Sequence, residues 1–309
     1  MKLPKHHYIP VFYLREWANA NSRLIEFSRP TGQEVQPRIT APKGTGYVRG
    51  LYRLDHLSGD AAEIYERFFF SLVDNMAKES LDILLGRSLA RFTDHSRSAW
   101  SRFVLGMLFR NPEQVAATRK LIEEFRLANY NEEQAIYEAR KAEDDPEYLE
   151  YLVRSVAYTT VDWIKGMLES PRLGQHLNNM YWAVRDVSDG GLKLFTSDRP
   201  VIMTNGIGYD WSNLVMPISP TKAFMACNSP ERMNDLKTMG TMEFISRCNA
   251  KVLRYAQKYA WNTNDDQTNV AKRHLSAEAE VSRQFFDAPR LRVLESIKNG
   301  LTRQQHEKS

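Results

Sequence analysis

Residues 99–112 read AWSRFVLGMLFRNP, and their spacing decides the class of the fold. Trp100, Phe103, Val104, Met107 and Leu108 stand at positions i, i+3, i+4, i+7 and i+8, which makes one apolar stripe along a helix. Asn111 then offers a side-chain oxygen to cap a second helix, and Pro112 suits its first position, where no N–H is needed. Arg110 therefore stands at a joint between two helices.

Helical patterning extends outward from this stretch, from Gly59 to about Ser170, through EQVAATRKLIEEFRLANY and PEYLEYLVRSVAYTTVDWIKGML with the acidic EDDP between them. On the N-terminal side, Val11 to Ala18 suits a short helix. SRLIEFSR and QEVQPRIT form a hairpin through Pro30-Thr31-Gly32. The glycine-rich APKGTGYVRG lacks the GK[ST] ending of a phosphate loop and is read as a loop. Beyond Pro171, MYWAVRDV, LKLFTSD, VIMT, VMPIS and KAFMAC are short apolar runs bounded by turn residues, as in a small antiparallel sheet. Helices return at Thr241 to Tyr259 and Asn269 to Phe286. The expected fold is α+β, with a predominantly helical centre and a small, mainly antiparallel sheet. We read residues 1–299 as a single domain in three regions (1–58, 59–170 and 171–299), followed by a frayed tail at 300–309.

Composition narrows the function classes. The chain has 309 residues, 42% of them hydrophobic, with no apolar run near membrane-spanning length. Met1 to Ala20 lacks the order of a signal peptide, so a cytoplasmic location without membrane attachment is expected. Cys227 and Cys248 are the two cysteines and have no metal-ligand spacing, so they read as reduced core thiols. Net charge is +4, a mild bias that permits nucleic-acid contact. Lys251, Arg254 and Lys258 recur at helical spacing with Tyr255 and Tyr259 interleaved. That pattern fits either a basic stacking stripe for substrate or a solvated helix face. No nucleophile elbow, reactive-cysteine motif, Rossmann pattern or kinase pattern occurs.

Two stretches carry candidate chemistry. KHHYIP at residues 5–10 places His6 and His7 before the apolar VFYLREW. Neighbours on an extended chain face opposite sides, so one histidine enters a site, and His7 is preferred. LFTSDRPVIM puts Ser197 and Asp198 at a strand end before Pro200. There Asp198 is either a catalytic carboxylate or the acceptor of an Asx turn.

The blocks HHYIPVFYL, FVLGMLFRNP and FTSDRPV resemble the bacterial domain-of-unknown-function family 4238, with KVLRYAQKYAW a weaker echo. The resemblance spans most of the chain. It implies a shared architecture, with His6, His7, Tyr8, Pro10 and Leu14 in the first block, Arg110 in the second, and Ser197, Asp198 and Pro200 in the third. It also implies an acidic residue on a helix between the first two blocks, a place that Glu66 or Asp74 fills.

Imidazole exchanges protons near neutral pH, a carboxylate orients it, and a guanidinium holds phosphate with a planar fork. This set suits phosphoryl chemistry. His6 or His7 would be general acid or base, Asp198 and Ser197 would assist, Arg110 would stabilise developing charge, and Tyr8 would touch substrate. In a metal version, His7 or His6, Asp198 and a helical carboxylate, Glu66 or Asp74, would hold a divalent transition metal. The expected function is a nucleic-acid hydrolase, a nuclease effector whose anti-phage or anti-plasmid role comes from the resemblance alone. The rivals are a non-catalytic nucleic-acid or protein-binding module and a hydrolase of a small nucleotide or phosphorylated substrate.

Overall fold

The computed structural model describes residues 3–276, except 31, 33, 88–91, 204 and 205. The expected helix beyond Ser276 and the frayed tail lie outside the described residues. The expected central helix is α4 in a bundle formed by α2 (Gly59–Ala62), α3 (Ser71–Leu84), α4 (Asp94–Phe109), α5 (Pro112–Ala128), α6 (Tyr130–Glu138), α7 (Tyr148–Leu168) and α8 (Pro171–Asn179). A capping box between Thr93 and Ser96 starts α4. Its Trp100, Phe103, Val104 and Met107 are buried as the spacing requires, but Leu105, Gly106 and Phe109 are buried too. The stripe was only one side of a helix enclosed by α3, α7 and α8. At the joint, Asn111 Oδ1 accepts the Gln114 N–H at 2.9 Å, and Pro112 opens α5.

The strands form three antiparallel sheets rather than the single small one expected. β1 (Lys5–His7) pairs with β4 (Tyr47–Arg49). A second sheet contains β2 (Leu24–Ser28), β3 (Gln36–Thr40), β6 (Thr196–Ser197) and β10 (Ala260–Asn262), in the order β3-β2-β10-β6. The third orders β5 (Tyr181–Asp186), β7 (Ile202–Met203), β8 (Asn213–Ser219) and β9 (Lys222–Cys227) as β5-β9-β8-β7. The expected hairpin is present as β2 and β3, with Ile25 opposite Ile39. Part of the stretch read as a loop is a strand. Gly46, at φ +65°, lets the chain approach Ile9 so closely that a Cβ would sit 3.1 Å from Ile9 Cβ, and β4 then meets β1. The three helices α9 (Pro230–Thr238), α10 (Thr241–Tyr255) and α11 (Thr268–His274) complete the described chain. The reading of α10 to Tyr259 was too long, because the N–H groups of residues 257–259 bond a carboxylate instead of continuing the helix.

The N-terminal segment fixes these layers together. After β1 come α1 (Val11–Leu14) and a 3-10 turn at Arg15–Trp17. The fully buried Tyr13 hydroxyl donates to Pro217 O at 2.7 Å and shares a 2.7 Å hydrogen bond with Thr196 Oγ1, joining β8 to β6. Trp17 Nε1 donates to Leu194 O at 2.8 Å. Cys227 and Cys248 are buried free thiols, and burial pushes them up to about 11 and about 12.

Candidate functional site

Alternation along β1 separates the two histidines. His6 is buried with both ring nitrogens occupied: Nδ1 accepts the Tyr52 backbone N–H at 3.0 Å, and Nε2 meets Glu63 Oε2 at 2.6 Å. Since Nδ1 accepts, the ring proton sits on Nε2 and is donated to Glu63, whose other oxygen takes Arg53 Nη1 at 2.5 Å. His6 is thus a fixed strut. Nothing in the sequence pattern marked Glu63 or Tyr52 as its partners, because their meeting depends on the loop after β4.

His7 turns the other way, against the Tyr47 ring at 5.4 Å between centroids. Its ring donates to the Lys43 backbone carbonyl, and Nε2 is buried without a hydrogen-bond partner. Burial lowers its pKa first of all, and the charges of Lys5 and Arg110 lower it further. The neutral ring therefore presents an unused lone pair at Nε2. Glu66 receives the His7 backbone N–H, and its Oε2 is likewise buried and unpartnered. Burial pushes its carboxyl up to about 7, against the pull of Arg110 and with a further push from Asp74 and Glu63. Glu66 lies on a π-helical turn, Glu66–Phe70, that leads into α3. Such widened turns are frequent at functional sites.

Arg110 completes this group from the α4–α5 joint. It is 1% exposed. Its Nε donates to Tyr8 O at 3.1 Å, and its Nη1 donates to Asp74 Oδ1 at 2.8 Å. Its Nη2 is buried without a partner, while the Tyr52 hydroxyl donates to its carbonyl at 2.5 Å. Burial raises the Asp74 carboxyl and Arg110 pulls it down. His7, Glu66, Asp74 and Arg110 are therefore one electrostatically coupled group in which three side chains each keep one unsatisfied polar atom. Both carboxylates that competed for the acidic position are in it.

Asp198 and Ser197 belong elsewhere. The buried Asp198 carboxylate accepts three successive backbone N–H groups, from Gln257 at 2.8 Å, Lys258 at 2.7 Å and Tyr259 at 2.9 Å. Burial pushes it up to about 6 while those donors pull it down. Ser197 Oγ accepts the Arg199 N–H at 3.2 Å. Ser197 thus makes a local turn bond, whereas the expected Asx turn of Asp198 is replaced by a long-range clasp on donors about 60 residues further on, which gives both carboxylate oxygens a partner. The Tyr8 side chain points to this side, where Asp198, Glu113 and Glu26 drive its hydroxyl further up after burial has raised it. Among the described residues no three of His, Cys, Asp and Glu converge as metal ligands, so the proposed set of His7, Asp198, Glu66 and Asp74 does not assemble. Lys251 and Arg254 lie on α10, whereas Lys258 lies beyond its end in the clasped loop.

A family model spans the first, second and third blocks. The model described as "Protein of unknown function (DUF4238)" matches residues 5–266. The chain belongs to the DUF4238 family. Comparisons with curated proteins and with solved structures give no match. In this DUF4238 chain the matched span begins at β1 and ends just before α11, so it takes in both the His7 group and the Asp198 clasp. No helix among the described residues is long and apolar enough to cross a membrane.

Proposed function

We propose that this DUF4238 protein hydrolyses phosphodiesters, with nucleic acid as the substrate class. His7 serves as general base, Glu66 as general acid and Arg110 as the anion contact. One observation carries the reading: His7 Nε2, Glu66 Oε2 and Arg110 Nη2 are unpartnered in one buried, charge-coupled group. Buried polar atoms are nearly always satisfied, so three in one group mark a place shaped for something else.

In the proposed step a water oxygen bonds to phosphorus, and its proton passes to His7 Nε2. Protonated Glu66 gives its proton to the leaving oxygen as the P–O bond breaks, and Arg110 Nη2 steadies the charge on the phosphoryl oxygens. Substrate reaches these atoms when the π-helical turn shifts, since none of the three is in contact with solvent.

His7→Gln and Glu66→Gln are each expected to slow hydrolysis of an activated phosphodiester, and of RNA or DNA, by about 100- to 10,000-fold. Variants as active as the parent would remove the proposal. A non-catalytic binding module is favoured by a different observation, the saturation of His6 and Asp198 by protein partners. Nucleic-acid binding without turnover by the parent chain would establish that reading instead.

A further inference from the structure

Beside the Asp198 clasp lies an open cleft of about 690 Å³, walled by β2, β3 and residues 257–259. Among the described residues, its charged lining is three cations, Arg29, Arg38 and Lys258, to one carboxylate, Glu26. Glu26 is buried and bound to Arg38 Nη2 at 2.6 Å and to the Thr45 hydroxyl, so its charge is turned inward. Arg29 is held at the rim by two bonds to Leu275 O, from Nε at 3.1 Å and Nη2 at 2.7 Å. The Arg38 side chain is 65% exposed, and Lys258 is exposed. Tyr259 lines the same cleft, half-buried, with its ring stacked on Trp261 at 6.1 Å and 28°.

From this lining we infer that the cleft binds a single strand of nucleic acid, with a base on Tyr259 and phosphates along Lys258, Arg38 and Arg29. Cations that track a backbone around an aromatic face are what a strand with unstacked bases requires, and a duplex keeps its bases from such a ring. The volume falls within the range of about 300 to 1,000 Å³ usual for ligand sites. The inference rests on the hydrolase reading only for its location, because Glu26 in the cleft accepts from the Thr45 hydroxyl, two residues before Tyr47, which pairs with His7 across β4 and β1. It also gives the clasp a purpose. Three N–H groups on one carboxylate hold Lys258 and Tyr259 at the lip of the cleft.

The test is fluorescence anisotropy of labelled eight-nucleotide RNA and DNA strands, the matching duplexes and a mononucleotide, on the full chain carrying Glu66→Gln to prevent turnover. Tyr259→Ala is expected to weaken strand binding by about 5- to 150-fold, with Tyr259→Phe close to the parent. Lys258→Glu should weaken binding and flatten its logarithmic salt dependence by at least about 0.7. Arg254→Glu, an equal charge change on α10 outside the cleft, should have a smaller effect. Equal effects of Lys258→Glu and Arg254→Glu, or an unaffected Tyr259→Ala with native thermal melting, would overturn the inference. So would duplex or mononucleotide bound as tightly as the strand. Strand bound through the cleft with no turnover by the parent would remove the hydrolase and leave the cleft. An activated phosphodiester hydrolysed without strand binding would do the reverse.

Discussion

Glu66 illustrates how one buried carboxyl links stability to chemistry. Its folded-state pKa is about 7, above the ordinary carboxylate value, so the folded chain holds this proton more tightly than the unfolded chain. Its penalty is therefore absent below the unfolded value, near 4.5, and grows until about pH 7. Glu66→Gln removes the titration and should raise unfolding free energy by about 2 to 4 kcal/mol at pH 8, with little change at pH 4. Urea unfolding at the two pH values measures it. The same proton sets a rate profile: the acid needs Glu66 protonated and the base needs His7 neutral, so hydrolysis should fall as pH rises through about 7. A rate that keeps rising to pH 9 would exclude Glu66 as the acid. Asp198 behaves differently because its oxygens are filled. Asp198→Asn leaves one acceptor and turns an NH2 toward a backbone donor, at an expected cost of about 1 to 3 kcal/mol. Hydrogen exchange should show residues 257–259 losing protection.

At the scale of elements, the α4–α5 joint delivers Arg110 to two partners at once, Asp74 on α3 and the carbonyl of Tyr8 after β1. Arg110→Ala breaks a buried ion pair and strands Asp74, which typically costs about 3 to 5 kcal/mol. Lysine keeps a charge near Asp74 but lacks the fork that reaches Tyr8 O, so Arg110→Lys should recover only part of that loss on thermal melting. Full recovery would mean that the Tyr8 bond carries no stability. This joint was legible in the sequence because periodicity and capping are local: Asn111 and Pro112 announce α5 whatever packs on it. The three-residue strands β4 and β10 were not legible. β4 exists through its pairing with β1, and β10 through its pairing with β2 and β6, all distant from it in the chain. The end of α10 was hidden for the same reason, since Asp198, about 60 residues earlier, takes the N–H groups that would have extended it. For the site, His7 and Arg110 could be nominated from residue chemistry and family resemblance, with Glu66 and Asp74 as alternatives. That both carboxylates join them while Asp198 does not is decided by the helix packing. Chemistry nominated Asp198 as readily as Glu66, because a carboxylate filled by backbone donors and one left open look the same in a sequence.

At the scale of the molecule, the segment from His6 to Trp17 works as a peg between layers that form from separate parts of the chain. Tyr8, Ile9, Tyr13, Leu14 and Trp17 are buried, each large side chain contributing roughly 1.5 to 3 kcal/mol when fully removed from water. Tyr13 ties β6 to β8 with a single hydroxyl, and Trp17 bonds the carbonyl of Leu194 just before β6. A peg of this kind cannot leave without opening both larger sheets, so its amides should exchange only through global unfolding, unlike a frayed terminus. Native-state hydrogen exchange is expected to place residues 8–17 in the same protection class as β8 and α4. Tyr13→Phe keeps the ring and leaves Pro217 O and Thr196 Oγ1 short of a buried partner, at an expected cost of about 1 to 3 kcal/mol. Because the lost bonds join two sheets, protection in β6 and β8 should drop together. Fast exchange of residues 8–17 in the parent chain would show that the peg detaches independently, and His7 would then be placed only when it is docked.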